Sequence, residues 1–208
     1  VWVDPASQAL EVSFTTTPDL ISSAGSIGAA SSWNAVNNGT SPNTPALVND
    51  GTTVYMAMRG ENNQLYWNAS GDGGQSWRGW QELPSGMVTN DAPSLAILNG
   101  SLYLTYLGVS NQQINITQLT DAGTNRWSPQ TALGQTAKNG QGAVAIAEST
   151  DGTEGLAIYY VANNTTGTIL RTWSKTPLSA SSWSGQQTLG STAFTSSGQL
   201  AVTRFQGN

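Results

Sequence analysis

The sequence predicts an all-β fold: a four-bladed β-propeller of antiparallel four-stranded blades, its ring closed by N- and C-terminal strands that share one blade. Three observations carry that expectation. Tryptophan recurs in one context, as Ser32-Trp33-Asn34, Ser76-Trp77-Arg78, Arg126-Trp127-Ser128 and Ser182-Trp183-Ser184. The spacings are 44, 50 and 56 residues, with 58 around the termini, and repeats of roughly 50 residues built from short strands are propeller-blade sized. Between the tryptophans, alternating apolar stretches are separated by Asn-Gly and Asp-Gly pairs, strong local hairpin signals. The two ends of the chain, finally, read as halves of one interrupted hairpin.

The chain begins inside a unit. Val1 to Asp4 reads as a second strand and Leu10 to Phe14 as a third, and a long loop from Pro18 to Ala30 leads to Trp33 and a fourth strand. The next unit, 41–89, opens with Pro45-Ala46-Leu47-Val48, turns at Asn49-Asp50-Gly51, and continues through Val54-Tyr55-Met56 and Leu65-Tyr66-Trp67 to the Trp77 strand. The unit 90–138 repeats this order with Pro93–Leu98, the Asn99-Gly100 turn, Leu102–Tyr106, Ile114–Ile116 and the Trp127 strand. In 139–194 the turn is Asp151-Gly152, followed by Leu156–Tyr160, Ile169–Arg171 and the Trp183 strand. Residues 195–208 then supply only a first strand, Leu200–Phe205. Joining the ends places Phe205-Gln206-Gly207-Asn208-Val1-Trp2-Val3 over Leu98-Asn99-Gly100-Ser101-Leu102-Tyr103-Leu104, so 195–208 and 1–40 form the fourth blade. Terminal strands paired in one sheet leave no long open edge at the seam. An open sandwich, or a homodimer that exchanges its terminal strands, is the alternative.

Composition removes several function classes. The chain has 208 residues, no cysteine and no histidine, so disulfides, thiol chemistry, the usual general base and the commonest metal ligand are all absent. No zinc spacing, calcium loop or phosphate-binding glycine loop appears, and no cofactor or metal is expected. Seven basic residues against twelve acidic ones give a net charge of −5, which argues against nucleic acid and anionic membranes as partners. No apolar run reaches the length of a membrane span, and the first residues show no leader pattern, so the compartment stays open between extracellular and cytoplasmic. Sequons stand at Asn38, Asn68, Asn99, Asn115, Asn163 and Asn164, with Asn115 inside an expected strand.

Ser70-Gly71-Asp72-Gly73-Gly74-Gln75-Ser76-Trp77 is the most distinctive stretch. Its glycines suit positive φ angles, a buried Asp72 carboxylate can accept the turn's N–H groups, and Trp77 then starts a strand and plugs the turn onto the sheet below. The stretch resembles the Asp-box, the S/T-x-D-x-G-x-T-W turn of sialidase-type propeller repeats, with Ser76 in place of threonine. At repeat level the whole chain is similar to the small Asp-box propellers among fungal and bacterial lectins. In that family the box is a structural turn remote from the ligand face, so Asp72→Ala is expected to lower stability without abolishing binding.

The resemblance implies a carbohydrate-binding lectin for glycans or glycoproteins, without catalysis, holding sugar in repeated shallow sites whose weak affinities combine by avidity. Three tryptophans break the repeat: Trp67, Trp80 and Trp173. Aromatic faces stack on the C–H side of a sugar ring, which makes these three the candidate platforms. Asn90, Asp91 and Arg59, beside first strands and loop mouths, are the candidate hydrogen-bonding partners, although such residues also cap turns. A sialidase-like glycoside hydrolase is the second reading. The resemblance would demand three arginines on a substrate carboxylate, a tyrosine nucleophile with its glutamate, and an aspartic acid. Of five arginines, Arg78 and Arg126 flank box tryptophans, and Arg59, Arg171 and Arg204 cannot be gathered around one Tyr-Glu pair. Glu11, Glu61, Glu82 and Asp91 are carboxylate candidates that no local motif joins. A protein-interaction scaffold, recognisable by one large apolar patch, is the third reading.

Overall fold

The computed structural model describes residues 2–12, 34–150, 153–189, 195–196 and 200–202. Described strands form four antiparallel sheets, as the turn and alternation pattern requires. The first contains β1 (Trp2–Val3), β2 (Ala9–Val12) and β3 (Asn34–Thr40), in that order. The second runs β4 (Ala46–Asn49), β5 (Val54–Arg59), β6 (Leu65–Ser70) and β7 (Gln81–Glu82). In the third, β8 (Ser94–Leu98), β9 (Ser101–Leu107) and β10 (Gln113–Asp121) are consecutive neighbours, and β10 pairs with both β11 (Arg126–Trp127) and β12 (Thr131–Thr136). The fourth runs β13 (Ala143–Thr150), β14 (Thr153–Val161), β15 (Ile169–Ser174) and β16 (Gln187–Thr188), with a single 3-10 turn at Ala180–Ser182.

Hairpin chemistry sets these meanders. Asn99 and Gly100 both take positive φ, 50° and 73°, as a tight two-residue turn between β8 and β9 needs. At the β4–β5 turn, Asp50 Oδ1 accepts the Thr52 and Thr53 N–H groups, and those bonds hold its carboxyl at about 2, below the usual range.

One loop is built four times. Gln8 between β1 and β2, Asn63 between β5 and β6, Gln112 between β9 and β10, and Gly167 between β14 and β15 have φ of 57°, 66°, 55° and 65°. Their carbonyls accept backbone N–H groups from the lead-in to the next unit: Ser41 at 3.0 Å, Thr89 at 3.0 Å, Ala137 at 3.1 Å and Ser196 at 2.9 Å. Each of these loops is thereby tied to a segment further along the chain by a bond that costs no side chain. The repetition includes the three-stranded N-terminal sheet.

The core is divided by junction. Leu10, Val36, Met56 and Met58 fill the space between the first and second sheets. Leu65, Trp67, Leu83, Leu95, Leu104 and Trp127 fill the next, and Leu107, Ile116, Ala145, Ile158, Tyr160 and Trp183 the one after. Both faces of the two middle sheets are therefore buried, which is why their strands read as nearly continuous apolar runs. The edge strands β4, β8 and β13 line two adjoining cavities of about 230 and 360 Å³; Leu200 lines the first and Val202 both.

Several expectations need correction. Asp72 is exposed, not buried. Its Oδ1 still accepts Ser76 N–H at 2.8 Å and Ser70 O–H at 2.7 Å, so the box works as a solvent-facing turn. Gly73 and Gly74 take φ of 75° and 98°, whereas Gly71 is not in the left-handed region. Trp77 starts no strand. Arg78 N–H bonds the Ala69 carbonyl, Gly79 then turns at φ 108°, and pairing resumes only at β7. Trp67 corresponds to Ile116 and Arg171, because Arg78, Ser128 and Ser184 donate to Ala69, Gln118 and Trp173 respectively. Leu200–Val202 forms no strand among the described residues. Val1, Phe14, the Pro18–Ala30 loop, Trp33, the Asp151-Gly152 turn and Thr203–Asn208 lie outside them, and with them the pairing expected at the seam.

Candidate functional site

A cleft of about 280 Å³ opens where the first sheet meets the second. Its floor is aromatic and its rim polar: Trp80 and Tyr66 face Asn38 and Thr40 of β3 and Glu61 and Asn62 of the β5–β6 loop. The Gly79 turn builds it. Asn68 Oδ1 accepts the Gly79 N–H at 3.0 Å, replacing a strand partner, and the redirected chain lays Trp80 across β3. Gly39 makes room for the ring, since a Cβ there would lie 3.0 Å from Trp80 Cζ2. Tyr66 rests in the same way on Gly60, where a Cβ would come within 2.7 Å of Cε2, and its hydroxyl accepts from Asn62 Nδ2 at 3.0 Å. Two glycines thus hold two rings. Trp80 Nε1 is buried without a hydrogen-bond partner.

The six residues singled out from sequence fall in separate places. Trp80 alone lies in this cleft. Trp67 is 3% exposed, stacked on Tyr55 at 6.4 Å and edge-on to Trp127 at 5.8 Å, with Nε1 donating to Asn125 Oδ1 at 2.7 Å. It backs a smaller recess of about 130 Å³ that Arg78, Gln81 and Asn125 share. Trp173 is half-buried in β15, lying over Gly155 of β14. Arg59 bridges two loops, donating to Asn43 Oδ1 at 2.6 Å and to Asn63 Oδ1 from Nε at 2.9 Å. Asn90 is exposed. Asp91 is 1% exposed and its carboxyl is pushed up by burial, with the Gly140 backbone N–H and the Arg59 charge pulling the other way.

Sequence reasoning missed Asn38, Thr40, Asn62 and Tyr66 as site residues, and named Glu61 only as a carboxylate candidate for hydrolysis. The signal present was a pair of glycines, Gly39 and Gly60, at positions where a strand or its loop gains nothing from glycine unless something packs on the bare backbone. Among the described residues no three His, Cys, Asp or Glu side chains gather as a metal cluster. No helix among them is long and apolar enough to cross a membrane.

No protein-family model matches the chain, and no curated protein matches it in sequence. Solved structures do resemble it. An arginine-to-alanine triple mutant of AofleA from Arthrobotrys oligospora aligns with a TM-score of 0.53 at 17% identity, over 69% of this chain and 40% of that one. The SapL1 lectin, solved in complex with alpha methyl fucoside, gives 0.51 at 14% identity over 76% and 52%. The NanB sialidase from Streptococcus pneumoniae gives 0.51 at 17% identity over 72% and 25%. At these identities the likeness is one of fold. The chain spans about half or less of the length of each of these proteins.

Proposed function

We propose that the protein is a non-catalytic lectin, a four-bladed propeller closed by its terminal segments, that binds neutral sugars in shallow clefts between neighbouring blades. The Trp80–Tyr66 cleft carries this reading. Indole and phenol rings offer flat apolar area at little conformational cost, and Asn38, Thr40, Asn62 and Glu61 surround them with donors and acceptors of the kind that sugar hydroxyls need. The four loop-to-lead-in bonds, with Leu200 and Val202 beside β4, β8 and β13, support closure. Trp67 and Arg59 act in this reading as supports of neighbouring loops, while Trp173 and Asn90 are surfaces for equivalent sites on other blades.

The fucoside in the SapL1 structure makes a deoxyhexoside the first ligand to try. Hydrolysis is disfavoured because Glu61 is the one carboxylate lining the cleft among the described residues, whereas glycoside cleavage employs a pair. The decisive experiment is a glycan array followed by calorimetry on the best hit, with the natural protein and Trp80→Ala side by side. Saturable binding that is lost in Trp80→Ala, with the melting curve of the variant still cooperative, is the expected result. An array silent for every glycan at high protein concentration, or binding indifferent to Trp80, defeats the reading.

A further inference from the structure

Glu61 is an exposed residue lining the Trp80–Tyr66 cleft, and its carboxylate has no hydrogen bond or ion pair among the described residues. The loop does not need that carboxylate. Asn62 Oδ1 closes the turn by accepting the Gln64 N–H at 3.1 Å, and in the corresponding loop of the third sheet Asn111 Oδ1 accepts the Gln113 N–H, again at 3.1 Å. Ser110 stands there in the place of Glu61, so the same turn forms without an acid. Asp4, Asp50, Asp72 and Asp121 differ, because each accepts a backbone N–H of its own turn. Glu61 is left with its charge directed to nothing in the fold.

No cation offsets it. Among the described residues, neither lysine nor arginine lines the cleft. Arg59 is two residues away, but Met58 of β5 lines the cleft, and alternation along the strand turns Arg59 to the opposite face. Its guanidinium is taken there by Asn43 and Asn63. The cleft therefore joins one uncompensated negative charge to an indole and a phenol ring, whose faces also attract cations. Both features favour the same group, an ammonium carried on an apolar C–H surface.

The next step rests on the reading of this cleft as a sugar site. We propose that the cleft prefers amino sugars with a free, protonated amine to their hydroxyl and N-acetyl counterparts, and that it disfavours uronic acids. Trp80 and Tyr66 support the pyranose ring of any of these sugars. Glu61 sets the charge class by accepting N–H groups of the ammonium. N-acetylation removes that charge, and a sugar carboxylate meets Glu61 as a like charge.

The test is calorimetric or NMR titration of the full chain at about pH 6, below the range in which an α-amino group loses its proton. Two matched series serve as probes: glucosamine, N-acetylglucosamine, glucose and glucuronic acid, and the corresponding galactose set. The free amine is expected to bind roughly three- to tenfold more tightly than the neutral members at low salt, the combined effect of an exposed ion pair and a cation on an aromatic face. The acid should bind weakest, and added salt should shrink both differences. Glu61→Gln keeps the shape of the side chain and is expected to cut the amine-to-hydroxyl affinity ratio to about twofold, what the rings alone supply. Trp80→Ala should weaken every member of a series. Equal affinities for amine and hydroxyl sugars, or a ratio unchanged in Glu61→Gln, overturn this preference and leave the lectin reading standing. Failure of every member to bind overturns it as well, and the glycan array then decides separately whether the lectin reading survives.

Discussion

The indole of Trp80 packs against the bare backbone of Gly39, so close that a Cβ would stand 3.0 Å from Cζ2 and 3.1 Å from Nε1. The same Cβ would meet the Val36 carbonyl at 3.0 Å, and that backbone atom cannot swing aside. Gly39→Ala is therefore expected to lift Trp80 off β3 at a cost of roughly 1–3 kcal/mol, typical of a methyl forced into a filled space. If the cleft binds sugar, affinity falls with it, because the ring loses its orientation while keeping its chemistry. Chemical denaturation and calorimetry on the same preparation measure both, and unchanged affinity with lowered stability would remove Trp80 from the site.

Asn125 is the bracket between the second and third sheets. It accepts the Trp67 indole N–H at 2.7 Å and gives its own amide to the Glu82 carbonyl at 2.8 Å. Truncation to alanine leaves the Trp67 donor buried and unpaired, a defect worth about 1–3 kcal/mol. Asn125→Ala should accordingly lower the denaturation midpoint with no change in slope. An unaltered midpoint would mean that the junction is held by apolar packing alone.

Gly155 shows the same device as Gly39 within one sheet. A Cβ there would fall 2.4 Å from two atoms of the Trp173 ring and 2.7 Å from the Ser174 carbonyl. Gly155→Ala must displace the ring or the strand, and a loss of roughly 2–4 kcal/mol is expected from overpacking of this severity. Removing the ring as well, in Gly155→Ala with Trp173→Ala, should recover part of the loss. A double-mutant cycle reads that coupling directly, and additive losses would show that Ser174 is the true obstruction.

Strand order and the four sheets were legible because the signals are local: alternation, Asn-Gly turns and a tryptophan at each repeat. Asn99-Gly100 takes the conformation its residues dictate. The Trp77 strand misled because Asn68, eleven residues before Gly79, intercepts a strand bond with its side chain, and no local pattern encodes that. The site was harder still. Trp67 breaks the repeat as Trp80 does, yet it is consumed by Tyr55, Trp127 and Asn125, whereas Trp80 is thrown over Gly39 into a cleft whose other wall comes from β3. Which odd tryptophan packs and which one faces outward depends on contacts between sheets, and spacing along the chain does not record them.

Two aspartates should respond to pH in opposite senses. The Asp50 carboxyl, held at about 2 by the N–H groups of Thr53 and Thr52, prefers the charged form in the folded state. Its contribution is present in full above the unfolded value of about 4 and disappears as pH falls from there toward 2, so Asp50→Asn should cost stability at neutral pH and little in strong acid. Asp91 is raised above its ordinary 3.8 by burial, so the folded chain holds the proton more tightly than the unfolded chain does. Stability should then drop as pH rises from that ordinary value through the folded one. Asp91→Asn cancels this loss, and its advantage in melting temperature should be near zero at about pH 3.5 and clear at about pH 8. An advantage that is the same at both ends would place its origin in packing instead of ionisation.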